Sequence, residues 1–243
     1  MSRPRLLYLL NGTTRATASR LPDLFRDEGL AVDMLWAYGG EFPEDLGVYD
    51  GIFLSGSPHG AYETIDWIER EHDLIRDAAT RDIPMLGICF GHQILASALC
   101  GRDQVFRRTS CEVAYKWLST TPAAGRDELA AELGPEVYMF VWHNDEVRAG
   151  HPDMEILATS DLCPNHIWRH ARYRAWGIQG HPEVTRAEAV TWFEQSRARL
   201  EGDGAVIADL QASADDALPA KTMLTRFARL VAGDAAGAAR RNA

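Results

Sequence analysis

Apolar runs suited to buried strands alternate with helical segments from residue 5 to residue 99, and this alternation limits the fold more than any other feature of the sequence. The runs are short and rich in Leu, Ile, Val and aromatic residues, which is typical of strands covered on both faces. Alternating strands and helices predict a parallel sheet with helices packed on it. The predicted strands cover residues 5–11, 31–36, 48–55 and 83–88, and the predicted helices cover 19–28, with Ser19 as N-cap, 64–81 and 93–99.

The second half of the chain has a different pattern, in which strand-like segments are joined by loops without intervening helices. This predicts a small antiparallel portion of the sheet. A capping box at Thr185 and Glu188 then opens a helix that ends near Leu200. We expect one α/β domain over residues 1–243, with a flexible tail from about residue 233 to the end. The strands of this half are predicted at 112–119, 136–142, 154–159 and 175–179, and the last helix at 219–231.

The composition excludes several classes of partner. The 243 residues carry a net charge of −10 at pH 7, whereas nucleic acids and anionic membrane surfaces bind clustered Lys and Arg, so neither is expected as a partner. No apolar run is long enough to span a bilayer, and the apolar core near the N-terminus is too short for a signal peptide, so we expect a cytoplasmic location. The four cysteines include no C-x-x-C pair, which argues against a disulfide scaffold.

Cys89 differs from the other cysteines in its flanks. It follows the predicted strand 83–88 and precedes a helix, in the pattern Gly87-x-Cys89-x-Gly91. This is the cysteine counterpart of the G-x-S-x-G nucleophile elbow, a sharp turn in which glycines relieve close backbone contacts and the nucleophile projects outward. The helix N-terminus favours the thiolate, which is the form that attacks a carbonyl carbon. A buried, inert cysteine is the alternative, and it is the interpretation favoured for the other three.

A cysteine nucleophile needs a general base, and the base needs an orienting group. The best candidate among the eight histidines is His181, which follows the strand 175–179. If that strand lies beside strand 83–88, His181 emerges with Cys89 at the carboxyl-terminal edge of the sheet, where open α/β sheets place their sites. Glu183, past a proline that fixes the backbone, can accept the second imidazole N–H. A surface turn is the alternative interpretation of this His-Pro-Glu sequence.

Acyl transfer also needs N–H donors for the oxyanion. The N–H of Phe90, the first after the nucleophile, is one candidate. The turn Ser55-Gly56-Ser57-Pro58 can supply a second donor, which we assign to Gly56. A plain strand-to-helix turn is the alternative for this segment.

Neither a metal nor a cofactor is expected. His166 and His170 have the i, i+4 spacing that puts two ligands on one face of a helix, but no third ligand is obvious and neighbouring arginines crowd them. His143, within the sequence WHNDEV, either approaches the site or caps a loop.

Four of these motifs, taken together, resemble the class I (triad) glutamine amidotransferase family. The resemblance spans roughly residues 49–183, and the capping-box helix also fits. It implies a flavodoxin-like, mostly parallel sheet flanked by helices, and a reaction that requires no metal or cofactor. The motifs are LGICFGHQ at 86–93, SGSP at 55–58, WHNDEV at 142–147 and IQGHPE at 178–183.

The resemblance also implies a role for individual residues. In this family a cysteine thiolate attacks the side-chain amide of glutamine and a γ-glutamyl thioester is then hydrolysed. The resemblance assigns catalysis to Cys89, His181 and Glu183, the oxyanion hole to Gly56 and Phe90, and contact with the substrate to Gln93. Ser57 and Glu112 are further candidates for substrate binding.

Three departures from the family pattern bear on the substrate. The SGSP turn lacks the two adjacent glycines typical of guanine-nucleotide synthase members. Gly180 replaces the more usual phenylalanine before the histidine, and the segment 109–112 stands where relatives often carry a glycine-containing turn that shapes the glutamine pocket. The motif set is therefore most similar to stand-alone members, including γ-glutamyl peptidases.

The predicted activity is cysteine-dependent hydrolysis of a γ-glutamyl amide. Glutamine is the first expected substrate, with ammonia passed to a synthase in trans, because too few residues follow Leu200 for an ATP-binding synthetase module. A γ-glutamyl peptidase acting on γ-glutamyl conjugates is the first alternative. A catalytically inactive binding or regulatory module is the second, although all three triad positions are filled. A papain-like protease is disfavoured because its sequence around the cysteine differs.

Overall fold

The computed structural model describes residues 3–16 and 20–241, so the predicted N-cap Ser19 lies outside the described residues. Its strands are β1 (Arg5–Leu10), β2 (Ala31–Trp36), β3 (Gly51–Leu54), β4 (Met85–Ile88), β5 (Val105–Thr120), β6 (Glu136–Val147), β7 (Met154–Thr159), β8 (Ile167–His170) and β9 (Ala175–Ile178). Its helices are α1 (Leu21–Asp27), α2 (Asp66–Thr80), α3 (Phe90–Cys100), α4 (Arg186–Gln195), α5 (Arg197–Gly202), α6 (Ile207–Ser213) and α7 (Leu218–Arg241).

The strands form one nine-stranded sheet in the order β2-β1-β3-β4-β9-β8-β7-β5-β6. Pairing is parallel from β2 to β9 and antiparallel from β9 to β6. The predicted α/β class with a mixed sheet flanked by helices is confirmed. The antiparallel portion is larger than expected, since it accounts for four of the eight strand pairs.

Helices cover both faces of the parallel half because its strands are apolar on both faces. In β1, Leu6 and Tyr8 face a core shared with α1 and α7, and Leu7 and Leu9 face a second core shared with α2 and α3. This is the period-two alternation of a strand buried on both faces. Helices α4 and α6 form a third core with β5 and β6. Among the described residues, no helix combines the length and the apolar character that a bilayer span would require.

Several boundaries differ from the prediction for physical reasons. β5 begins at Val105, seven residues before its predicted start, and its first half carries charged side chains that hide the strand pattern. β8 was not predicted, since four residues give too short a pattern. The helix predicted to run from Thr185 to about Leu200 is interrupted at Ser196, and α6 was also missed. α7 continues helical to Arg241 instead of ending at residue 231; the flexibility of the tail stays a prediction.

Candidate active site

Cys89 occupies the turn between β4 and α3, as the sequence predicts. Its backbone has φ +54° and ψ −107°, a conformation that non-glycine residues rarely adopt. The strain is held by the turn, in which the N–H of Cys89 donates to Ile178 O at 2.8 Å and its own carbonyl accepts from Gln93 N at 3.1 Å. The side chain is 9% exposed, and its Sγ lies 3.8 Å from the carbonyl oxygen of Trp142.

The two glycines that flank Cys89 are required by backbone packing. A Cβ on Gly87 would lie 2.2 Å from the carbonyl oxygen of Gly91, and a Cβ on Gly91 would lie 2.2 Å from the carbonyl oxygen of Leu54. Both contacts are too short for real atoms, so β3, β4 and α3 can approach this closely only without side chains at these positions. The expected elbow is therefore built as the pattern predicted.

His181 follows β9, which pairs with β4, so the imidazole and the thiol meet at the carboxyl-terminal edge of the sheet. The backbone N–H of His181 donates to Phe140 O at 2.8 Å, and its Nδ1 lies 2.9 Å from Glu183 Oε1. The imidazole and Cys89 line the same cavity and interact electrostatically. A Cβ on Gly180 would fall 2.4 Å from Met139 Sδ, which explains physically why this position departs from the larger residue of the family.

The charge of His181 depends on its two neighbours. Burial alone would lower its pKa, but the negative charges of Glu183 and Cys89 and the hydrogen bonds to both raise the pKa of His181 well above 6.5. The imidazolium form of His181 is thereby favoured. An imidazolium beside a cysteine can give its proton to a departing group after the sulfur has attacked a carbonyl carbon.

The turn after β3 lies opposite Cys89 and is supported by a buried polar network. A Cβ built on Gly56 would lie 3.6 Å from Cys89 Cβ and 3.8 Å from His181 Cε1. Just before it, Ser55 Oγ accepts the backbone N–H of Asn11 at 2.9 Å, and its carbonyl accepts the Asn11 side-chain amide at 3.2 Å. The same amide reaches Glu71 Oε1 at 2.9 Å. Asn11 thus links the turn to α2.

Glu71 lies on α2 and is fully buried. Burial raises its pKa to about 8, outweighing the hydrogen bond from Asn11, which lowers it. The segment that presents Gly56 is consequently held, through Asn11, by a carboxylic acid that is protonated at neutral pH.

A cavity of about 820 Å³ opens in front of these residues. Cys89, His181, Glu183, Gly56 and Ser57 all line it, and Phe90 directly follows Cys89 at the start of α3. This volume falls in the range typical of small-molecule sites. The remaining lining residues are Tyr8, Leu10, Gly12, Thr13, Thr14, Ala16, Leu21, Phe53, Ser55, Pro58, Ile88, Arg107, Trp142, Asn144, Trp192 and Arg199.

A family model described as "Glutamine amidotransferase class-I" matches residues 19–196, more than half of the chain. The chain belongs to this family. The resemblance inferred from the motifs is therefore confirmed, and the match extends beyond them into the first helix and α4.

Relatives of the chain fall in two groups. It is 32% identical to gamma-glutamyl peptidase 4 of Arabidopsis thaliana over 167 residues, covering 67% of this chain and 66% of that protein. It is 31% identical to a glutamine-hydrolysing GMP synthase subunit from Halobacterium salinarum over 146 residues, covering 60% of this chain and 72% of that protein. The chain thus aligns with just under two thirds of the length of the plant peptidases.

Solved amidotransferase structures share the fold. A glutamine amidotransferase from Thermotoga maritima superimposes with a TM-score of 0.81 at 24% identity, covering 95% of this chain and 99% of that one. The mixed sheet and its flanking helices are therefore the arrangement of this family.

Two residues predicted to bind substrate make contacts inside the fold. Gln93 is buried on α3 and donates its amide to Asp145 O at 3.1 Å and to Gln179 Oε1 at 3.3 Å. Glu112 is buried on β5, where it pairs with Lys116. Neither belongs to the described residues that line the cavity. Their roles in substrate binding stay predictions.

Other lining residues escaped the sequence analysis. Trp142 ends the predicted strand 136–142, whereas Trp192 and Arg199 come from α4 and α5, which pack beside the cavity. Arg107 is 57% exposed on the half of β5 that was not predicted, and pairs with Asp145 at 3.4 Å. Trp142 opens the WHNDEV motif, but no local motif marks Arg107, Trp192 or Arg199, because long-range packing brings these three to the site.

Proposed function

We propose that the chain is a cysteine-dependent hydrolase of γ-glutamyl amide bonds. Cys89 is the nucleophile, His181 the general acid and base, and Glu183 the residue that orients the imidazole. The observation that carries the proposal is that the three side chains line a single cavity, with His181 Nδ1 2.9 Å from Glu183 Oε1 and Cys89 close enough to His181 to raise the pKa of the imidazole. This is the geometry that a nucleophile, its base and an orienting group require.

Acylation begins from the thiolate–imidazolium pair. Cys89 Sγ attacks the γ-carbonyl carbon, and the carbonyl electron pair moves to the oxygen. The backbone N–H groups of Gly56 and Phe90 stabilise this oxyanion. His181 then gives its proton to the departing amine, the C–N bond breaks, and a γ-glutamyl thioester remains on Cys89.

Deacylation uses the same groups in reverse. The neutral imidazole of His181 takes a proton from water as the water oxygen attacks the thioester carbon. Collapse of the second tetrahedral intermediate breaks the C–S bond, releases glutamate and restores the thiolate beside an imidazolium. Glu183 accepts the hydrogen bond from His181 Nδ1 throughout and holds the imidazole in place.

The width and lining of the cavity favour a leaving group larger than ammonia. Trp142 and Trp192 supply aromatic walls, and the guanidinium groups of Arg107 and Arg199 lie at the same cavity. Guanidinium groups bind carboxylates, often through two hydrogen bonds. A γ-glutamyl peptide or conjugate carries an apolar part and carboxylates on either side of the scissile bond. Ser57, also at the cavity, is a further proposed contact with the substrate.

The test of the activity uses the purified full chain with glutamine and with a γ-glutamyl dipeptide, measuring released ammonia or amine. Cys89→Ala should lower hydrolysis by at least about 10³-fold, because nothing else in the site can form the thioester. Cys100→Ala, which changes a half-buried thiol at the far end of α3, should keep the parental rate. The proposal fails if Cys89→Ala retains hydrolysis, or if neither substrate reacts and a glutamine-analogue electrophile leaves Cys89 unlabelled.

The leaving group is tested separately with two arginine variants. Arg199→Ala should raise KM for the γ-glutamyl dipeptide by about 10- to 100-fold, the effect of losing a charged hydrogen bond. Arg197→Ala is the matched control, because Arg197 lies on the same helix and pairs with Glu194 and Glu201 instead. An equal KM in both variants would remove the support for a large leaving group.

Glutamine hydrolysis for a separate synthase is the second candidate, favoured by the similarity to the GMP synthase of Halobacterium salinarum. In that case ammonia release from glutamine is expected to rise when a synthase that uses ammonia is added. The dipeptide would then be the poorer substrate.

A further inference from the structure

Four buried side chains of types that can bind a metal ion lie next to Trp142, which lines the cavity. His143 is on β6, Glu112 faces it from β5, and Cys163 and His166 are on the segment between β7 and β8. One ligand atom each of His143, Cys163 and His166 lies within 4.8 Å of the other two. All four residues are buried, with Cys163 and His166 fully so. We refer to these four residues as the buried cluster.

The hydrogen bonds of the two imidazoles leave one nitrogen of each facing the cluster. His143 Nδ1 lies 2.9 Å from Asp145 O, and because a carbonyl only accepts, this nitrogen carries the proton. His166 Nε2 lies 2.9 Å from Ser160 Oγ, and this hydroxyl oxygen can accept a hydrogen bond from the Nε2–H group. The remaining nitrogens, His143 Nε2 and His166 Nδ1, are buried without a hydrogen-bond partner.

The cluster has no satisfactory explanation as an ion pair alone. His143 Nε2 and Glu112 Oε2 are 3.2 Å apart, yet neither atom makes a hydrogen bond of suitable geometry. A protonated His143 would explain why Glu112 Oε2 lies 3.2 Å from His143 Nε2, because the two groups would then carry opposite charges. It would still leave His166 Nδ1 without a hydrogen-bond partner close to Cys163, and a buried polar atom without such a partner destabilises the fold.

We propose that the buried cluster binds one zinc-type divalent cation through Cys163 Sγ, His143 Nε2, His166 Nδ1 and a carboxylate oxygen of Glu112. One thiolate, two imidazoles and one carboxylate are the ligand types that Zn²⁺ takes in tetrahedral sites. Four protein ligands close the coordination sphere, so the role is structural. Asp145 O and Ser160 Oγ supply the outer hydrogen bonds that orient metal-bound histidines.

The charges around the cluster permit a divalent cation. Arg108 pairs with Glu146 and Lys116 pairs with Glu112, so the four nearby ionised groups cancel. Binding displaces the thiol proton of Cys163, and the net charge inside then rises by one. Protonation of His143, which is the competing explanation, would raise the net charge by the same amount. The surrounding charges therefore do not disfavour the cation relative to the proton.

The cation would fix the wall of the catalytic cavity. His143 directly follows Trp142, whose ring lines the cavity and whose carbonyl oxygen lies 3.8 Å from Cys89 Sγ. Ligation would tie this part of β6 to β5 and to the turn at Cys163. This proposed cation site stabilises the fold, and it does not depend on the proposed hydrolase activity.

The decisive experiment is a Co²⁺ titration of the full chain after chelator treatment, in a Cys89→Ser background that removes the catalytic thiol as a competing ligand. We expect one equivalent to bind, with the visible bands of tetrahedral Co²⁺ and a thiolate charge-transfer band. Cys163→Ser should abolish the charge-transfer band. Cys111→Ser, a half-buried cysteine outside the cluster, should keep it.

Two further measurements keep the test independent of folding defects. Ser160→Ala retains all four ligands but removes the partner of His166 Nε2 and the acceptor of the Cys163 backbone N–H, so Co²⁺ affinity should fall by about 10- to 100-fold. Zn²⁺ should raise the thermal unfolding midpoint of the Cys89→Ser parent and leave that of a folded His166→Asn variant unchanged. Absence of tetrahedral bands in the parent, or a charge-transfer band that survives Cys163→Ser, would overturn the proposal.

Discussion

Replacing Glu71 by glutamine should stabilise the protein, although Glu71 is buried and hydrogen-bonded. Its pKa is raised from 4.5 to about 8 by burial. In the unfolded chain the carboxyl ionises above pH 4.5, whereas the folded protein keeps the proton until about pH 8. Folding at neutral pH must therefore take up a proton, and stability is lost as pH rises through this window.

The magnitude follows from the two pKa values. Neutral pH lies about 2.5 units above the ordinary pKa of 4.5 and still below the folded value, and each unit corresponds to about 1.4 kcal/mol. The cost at pH 7 is therefore about 3 kcal/mol. Glu71→Gln removes it and keeps an amide oxygen to accept from Asn11, as Glu71 Oε1 does at 2.9 Å. The additional buried N–H of the glutamine amide offsets about 1 kcal/mol of this stabilisation, and it does so at every pH.

Urea unfolding of the parent and Glu71→Gln at a series of pH values measures the effect. The difference in unfolding free energy should grow in favour of the variant by about 3 kcal/mol between pH 4.5 and pH 7. Glu69→Gln is the control, because Glu69 pairs with Arg102 at the surface and its pKa is lowered by that hydrogen bond. A difference that stays constant with pH would show that Glu71 is ionised in the folded protein and would refute the reasoning.

Three further predictions concern the base, the elbow and a helix cap. Glu183→Gln removes a charge that raises the pKa of His181, so the alkaline limb of the pH–rate profile should move to lower pH; an unmoved limb would contradict this role. Gly91→Ala places a Cβ 2.2 Å from a backbone oxygen and should cost at least about 3 kcal/mol in urea unfolding, whereas Gly202→Ala, with open space around it, should cost less than about 1 kcal/mol. Thr185→Ala breaks the capping box and should lower the free energy of unfolding by about 1 kcal/mol. An unchanged free energy of unfolding would show that the cap does not stabilise the fold.

Much of the parallel half of the fold could be predicted, because local pattern and tertiary packing agree there. The strand at 31–36 has the predicted bounds, and the helix at 66–80 lies within two residues of them. The antiparallel half was harder to predict. β5 faces solvent over much of its first half, so charged residues such as Arg107 and Arg108 replace the alternation that marks a buried strand. Pairing with β6, which no local signal encodes, holds it in the sheet.

The site residues also differ in how well the sequence predicts them. Cys89 and the segment with His181 and Glu183 lie at strand ends. The turns there are determined by residues that are adjacent in the sequence, and the structure brings the three side chains to one cavity. Their catalytic roles remain proposals. His166 and His170 do not share a helix face, because His170 ends a strand and accepts backbone N–H groups of the turn that follows. The Cys-x-x-His spacing from Cys163 to His166 is the sequence signal that accompanies the proposed cation site.

The elbow sits on the parallel half of the sheet, whereas Trp192 and Arg199 reach the cavity from α4 and α5 beyond it. The residues proposed for catalysis and the two helix residues proposed to contact the leaving group thus belong to different parts of the fold. Mutations in the helices could change which molecules are accepted without disturbing the strained thiol turn. A lineage with this layout can broaden its range of substrates while its reaction stays the same.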